Sequence, residues 1–158
     1  RKVAIETVNS ILCMRKGEDK FSTLDIMFFN TFNAEIIFNK IGSMFSFIKS
    51  GWEVKTIKAS SLPVGILENI EITEKKANLK DGDFVIMFSD GVVDSLNNID
   101  NKEIWLKKLL QNSSFEKAEL FADYIIDVIK KNGKIKDDLS IIVFKVCKFD
   151  EKRRRITI

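Results

Sequence analysis

A chain of 158 residues, 45% apolar and 31% charged, is long enough for one packed domain and too apolar to stay disordered. Its net charge of +3 is small and partly confined to the tail Lys152-Arg153-Arg154-Arg155, so charge gives no reason to expect a nucleic-acid partner. Cys13 and Cys147 form neither a disulfide framework nor a metal-ligand spacing, and the absence of histidine excludes a Ser-His-Asp triad, Cys-His chemistry and imidazole zinc sites. No apolar run approaches the ~18 residues of a membrane span and no signal peptide is recognisable, so the expectation is a soluble, cytoplasmic chain.

The first predicted element is an amphipathic helix. Val3, Ile5, Val8, Ile11 and Leu12 form its apolar side, Glu6, Asn9 and Ser10 lie outside, and Gly17 breaks it. Strands follow. Leu24, Ile26 and Phe28 alternate with Asp25 and Met27, and Ala34, Ile36 and Phe38 alternate with Glu35, Ile37 and Asn39. Phe45 and Phe47, then Trp52, Val54 and Ile57 beyond Ser50-Gly51, give a hairpin. Ile70 and Ile72 open a short strand. Lys80-Asp81-Gly82-Asp83 turns into the uninterrupted apolar strand Phe84–Phe88. The period then changes. Asp100 to Gln111 reads as a helix with Asp100 and Glu103 at capping-box spacing. Ser113 and Glu116 repeat that spacing before a stripe of Phe121, Ile125 and Ile129 that ends at Gly133. Ile141 to Val146 is the last strand. Hairpins, two helices and a returning strand make an α+β pattern without βαβ alternation or a phosphate-binding glycine loop.

Two places carry candidate chemistry. Ser89-Asp90-Gly91 follows the Phe84–Phe88 strand, and Asp137-Asp138-Leu139-Ser140 precedes the last one, 47 residues later between Asp90 and Asp137. Either is also ordinary turn chemistry. Together, carboxylates at strand ends suit a hard cation of the Mg²⁺ or Mn²⁺ type, since neighbouring carboxylates repel unless a cation separates them. With no histidine, hydrolytic chemistry would have to run on carboxylates and metal-activated water. A haloacid-dehalogenase reading of Phe88–Ser95 fails, because Phe88 stands where that chemistry needs a nucleophilic aspartate.

The segments 80–91 and 137–143 resemble metal-dependent serine/threonine phosphatases of the PP2C type. Thr7–Leu12, Phe21–Asp25, Ile41-Gly42-Ser43 with Ser46–Lys49, and Ser61–Ile66 are similar, in order, to the sporulation branch of that family, the stage II sporulation protein E group. The resemblance covers residues 3 to 147 and implies an α-β-β-α sandwich of two antiparallel sheets with flanking helices, the first strands missing. The domain would span 1–147, with 148–158 as a basic tail. It implies two Mn²⁺ or Mg²⁺ ions in the complete domain, with Asp90 and Asp137 as ligands to one of them and Asp138 and Gly91 supporting that pair. The implied activity is hydrolysis of phosphoserine by metal-activated water. The implied partner is a phosphorylated anti-anti-sigma factor, whose dephosphorylation leads to release of a sigma factor. The family's bridging aspartate would lie upstream of the opening helix, and so would the family's membrane-spanning part. Phe45 replaces a proline usual in the sporulation branch.

Two functional readings remain open: part of a phosphatase domain that works only with its upstream strands, or a non-catalytic module that docks the same partner. Missing strands would leave edges unpaired, with Phe28, Phe29, Phe38 and Phe144 as candidates for exposure and self-association, including dimerisation, as the result.

Overall fold

The computed structural model describes residues 2–15, 21–58, 61–135 and 137–148. Gly17 and residues 149–158 of the basic tail lie outside them. The elements run α1 (Lys2–Cys13), β1 (Leu24–Phe29), β2 (Glu35–Ile41), β3 (Ser46–Ser50), β4 (Glu53–Ile57), β5 (Thr73–Asn78), β6 (Phe84–Phe88), α2 (Asp90–Ser95), α3 (Lys102–Gln111), α4 (Ala118–Asn132) and β7 (Ile141–Lys145). Every strand pairing is antiparallel. One sheet has the order β1-β2-β5 and the other β4-β3-β6-β7.

Strand alternation explains how the layers stack. Ile36 and Phe38 of β2, with Met27 and Phe29 of β1, face Ile48, Val85 and Met87 across the gap between the sheets. The opposite face of the larger sheet sends Phe47, Phe84, Ile86 and Phe88 against Leu106, Leu110, Phe121, Ile125 and Ile129 of α3 and α4. The opposite face of the smaller sheet meets α1 through Ile41, Leu24 and Ile26 against Ile5. The result is helix, sheet, sheet, helix, with an apolar core at each of three junctions. β6 is buried on both faces, which is why Phe84–Phe88 reads as a continuous apolar run rather than an alternating one.

Several expectations need correction. Asn9 does not lie outside α1: it is 1% exposed. The buried stripe is Ile5-Asn9, with Leu12 half-buried behind it, while Val3, Val8 and Ile11 are exposed. The Asn9 amide donates to the carbonyls of Leu67 (2.8 Å) and Glu68 (2.9 Å), and its carbonyl accepts from the Gly65 amide (2.8 Å). Three backbone partners make burial of this polar side chain affordable where none would otherwise be found. Ile70 and Ile72 are not in a strand. They pack beneath α1 in the connection that precedes Thr73.

The helix caps also differ. Asn101, not Asp100, caps α3, its side chain accepting from the Ile104 amide at 3.1 Å. α4 starts at Ala118 without a side-chain cap, and the Ser113 hydroxyl instead donates back to the Leu110 carbonyl. Gly133 ends α4 as expected. Of the four phenylalanines expected to be uncovered, Phe38 is fully buried. Phe29 and Phe144 are half-buried in an edge contact at 5.0 Å, and only Phe28 counts as exposed.

Candidate functional site

β6 and β7 lie side by side with Phe88 opposite Ile141, and their pairing continues past the strand ends. The Ser89 amide donates to the Ser140 carbonyl at 2.9 Å, and the Ser140 amide donates to the Ser89 hydroxyl at 3.0 Å. The Ser89 hydroxyl lies 3.4 Å from the Asp138 carbonyl. These bonds bring the segment after β6 against the segment before β7, so Asp90-Gly91 meets Asp137-Asp138. A serine on each side carries the junction, and neither stands out by residue type as the carboxylates do.

Asp90 is the first residue of α2, a change from the simple turn that Asp-Gly suggests. Gly91 is needed there for approach rather than for an unusual dihedral. A β-carbon at Gly91 would fall 2.2 Å from the Asp138 carbonyl oxygen and 3.6 Å from Cβ of Asp137. Any larger residue would push the two acidic segments apart. Asp90, Asp137 and Asp138 are exposed, whereas Gly91 is buried. One oxygen of Asp90 accepts from the Gly91 amide at 2.9 Å, and one oxygen of Asp137 accepts from the Asp138 amide at 2.8 Å. The second oxygen of each has no hydrogen-bond partner among the described residues. No lysine or arginine forms an ion pair with either of them among those residues.

Carboxylates held by their own backbones, open to solvent and lacking a cationic neighbour are suitable donors for a hard divalent ion. The donor set fits such an ion at Asp90 and Asp137. No group of three acidic, cysteine or histidine side chains suited to a metal occurs among the described residues.

A further aspartate, Asp25, lies at the same end of the strands, between the sheets. Lys40 of β2 pairs with Asp25 of β1, and its ammonium donates to Asp25 and, at 2.9 Å, to the Ser46 hydroxyl. That hydroxyl donates to the same Asp25 oxygen at 2.8 Å, tying the smaller sheet to β3 of the larger. Ser46 precedes Phe47, whose ring packs against Phe88 at 6.0 Å, so this tie lies close to where β6 releases Asp90. Lys40 is fully buried, and burial pushes its ammonium below the ordinary lysine range, opposed by the hydrogen bond and the charge of Asp25. The signal was present in the alternation. Asp25 shares its face with Met27 and Phe29, and Lys40 shares its face with Ile36 and Phe38, so both had to meet the core.

A neighbouring constraint fixes the loops. Gly42 (φ +60°) leaves no room for a side chain, because a β-carbon would lie 2.6 Å from Cα of Pro63. The Ser61 hydroxyl donates to the Lys40 carbonyl at 3.0 Å. The end of β2 and the 61–64 segment are thus locked together beside the buried ion pair.

The sequence model of the stage II sporulation protein E (SpoIIE) family matches residues 2–147. The stage II sporulation protein E of Priestia megaterium is 38% identical over 146 residues, 91% of this chain and 25% of its own length. That of Bacillus subtilis (strain 168) is 33% identical over 147 residues, 92% of this chain and 18% of its own. The chain thus spans a quarter or less of the curated relatives it matches. A solved structure of the PP2C phosphatase domain of SpoIIE from Bacillus subtilis, with a fragment of its regulatory domain, superposes with a TM-score of 0.84 at 33% identity. It covers 92% of this chain and 44% of that one. No helix among the described residues is long and apolar enough to cross a membrane. The four-layer fold, the ordered sequence match and the structural superposition agree: the chain belongs to the stage II sporulation protein E family, in the region that forms that family's PP2C phosphatase domain.

Proposed function

We propose that this chain supplies Asp90 and Asp137 as metal ligands of a phosphoserine protein phosphatase. The observation that carries the reading is the contact of Gly91 with Asp137-Asp138, which sets two uncompensated carboxylates at one strand end. Asp138 supports the pair through its carbonyl, which accepts from Ser89, and through its amide, which orients Asp137. Gly91 keeps α2 close enough for both segments to face one ion. A divalent cation bound there, Mn²⁺ or Mg²⁺, would supply activated water and screening of phosphate charge. What the protein itself contributes is the placing of acceptor oxygens and a rigid frame beneath them, Asp25, Lys40 and Ser46 included.

The donor set is incomplete in the described residues, so turnover would require at least one carboxylate from outside them. The same incompleteness favours a second reading, in which the region docks its partner without turnover. The substrate class under the first reading is a phosphorylated anti-anti-sigma factor, and its dephosphorylation would lead to release of a sigma factor.

Phosphate release by the full protein from a phosphoserine protein separates the two readings. The phosphatase reading expects release that depends on added Mn²⁺ and falls about 100-fold or more in Asp90→Asn, because a neutral amide is a poor ligand for a hard cation. Release that persists undiminished in Asp90→Asn rejects the metal assignment. Partner capture indifferent to both Mn²⁺ and this substitution selects the docking module.

A further inference from the structure

A second site lies at the other end of β6, about 13 Å along the strand from Phe88. There the β3–β4 turn, the turn before β6 and the α3–α4 connection enclose a hollow of about 220 Å³, lined by Lys49, Trp52, Phe84, Ser113, Ser114 and Phe115, with Gly51 and Gly82 at its edge. It shares no residue with the acidic junction, and nothing in the proposed phosphatase chemistry uses it.

Its charge is unbalanced. Lys49 is 5% exposed, yet it has no carboxylate partner among the described residues. Its ammonium donates to the Gly51 carbonyl and lies 5.8 Å from the centre of the Trp52 ring. Burial lowers its pKa from the ordinary lysine value, the expected response of a desolvated cation that lacks a counter-charge. A second cation, Lys145, stands two strands from Lys49 and outside the lining of the hollow, where it adds to the positive potential. Lys49 is opposite Phe84 in the β3–β6 register, and Phe84 is opposite Lys145 in the β6–β7 register. Three adjacent strands thus carry cation, aromatic ring and cation in one row, with about 10 Å between the lysine backbones. The Lys145 ammonium lies 5.3 Å from the centre of the Phe84 ring and donates to the Glu116 carbonyl, again not to a carboxylate.

The walls differ in chemistry from the base. Trp52 is 72% exposed at a hairpin tip, and Phe115 is half-buried, stacked on Phe121 at 5.1 Å. The exposed Ser114 hydroxyl has no intramolecular partner among the described residues, so it can donate. A buried cation below, aromatic walls beside it and a free hydroxyl at the rim suit an anion attached to something flat or apolar. The volume lies below the ~300 Å³ at which drug-sized ligand pockets begin, so the occupant is one group and not a cofactor.

We infer that this hollow binds a phosphate or carboxylate group carried on a compact apolar body, at a site separate from Asp90 and Asp137. The anion would be borne either by a free small molecule or by a side chain of a docked protein.

The test follows acylation of Lys49 by an amine-reactive ester in the full chain, read by peptide mass spectrometry. Phenyl phosphate should slow that reaction saturably, about tenfold when it exceeds its Kd about tenfold. Phenol, and chloride at equal ionic strength, should not, and exposed Lys2 should react unchanged throughout. Saturation-transfer NMR on the phenyl protons provides the second reading. Transfer should be lost in Lys49→Gln and weakened in Lys145→Gln, each checked for native circular dichroism. If Lys49→Gln does not fold, Lys145→Gln and the wild-type protection decide. Absence of saturable protection and of transfer overturns the inference, as does transfer that both folded variants retain in full. Tighter protection by a phosphotyrosine peptide than by phenyl phosphate assigns the anion to a docked protein; the reverse assigns it to a free molecule, and either upholds the site. Because these readouts require no turnover, their failure leaves the phosphatase reading untouched, and the converse also holds.

Discussion

The aspartates at one end of the sandwich differ in what surrounds them. Asp25 is held between the sheets, paired with a fully buried lysine and a serine hydroxyl. Asp90 and Asp137 are in solvent a short distance away, with one oxygen each bonded only to the next backbone amide. The same residue type serves opposite ends. Burial with a partner turns an aspartate into a fastener, while exposure without one leaves it available to a cation. The contrast teaches that position at a strand end does not mark an aspartate as functional. What marks it is a charge that the fold has left uncompensated.

That contrast can be broken in graded steps. Asp25→Asn should have the largest effect on stability, because it leaves the Lys40 ammonium buried without its counter-charge. A loss of about 3–5 kcal/mol by urea denaturation is expected, with most of it recovered in Asp25→Leu/Lys40→Met, where neither charge remains. A double variant as unstable as the single one would mean the pair is not the source. Gly91→Ala should come next, at about 1–3 kcal/mol, since its β-carbon meets a backbone carbonyl that cannot give way without moving Asp137. It should lose Mn²⁺-dependent phosphate release as well; normal stability would show that α2 can shift freely. The smallest stability effect belongs to Asp90→Asn, expected within about 0.5 kcal/mol of the parent because an exposed side chain loses no packing. A large destabilisation there would move Asp90 into the class of Asp25 and end the contrast.

Much of the fold was legible because alternation and helical spacing are read directly from residue type. The hairpin at Ser50-Gly51, the turn at Asp81-Gly82 and the two helical stripes ending at Gln111 and Gly133 all correspond to structure. The α-β-β-α layering came from family resemblance, and the three apolar junctions bear it out. The boundaries read less well. Capping-box spacing pointed to Asp100 and Ser113, but a cap depends on local dihedrals that spacing does not encode, and Asn101 took the first role. At the acidic junction the aspartates stood out by their chemistry. The serine stitch and the close approach of Gly91 did not, because both depend on the pairing of segments distant in sequence.

Asn9 has a further consequence. One side chain on α1 satisfies the Gly65 amide and the carbonyls of Leu67 and Glu68, none of which belongs to a regular element. The 65–68 turn therefore has little stability of its own, since its backbone polar groups are closed by a helix more than fifty positions earlier. Detachment of α1 exposes those groups at once, and the turn cannot open in this way while the amide stays in place. Helix and turn form a single cooperative unit, and their amide protons should exchange with solvent in one shared opening event rather than two.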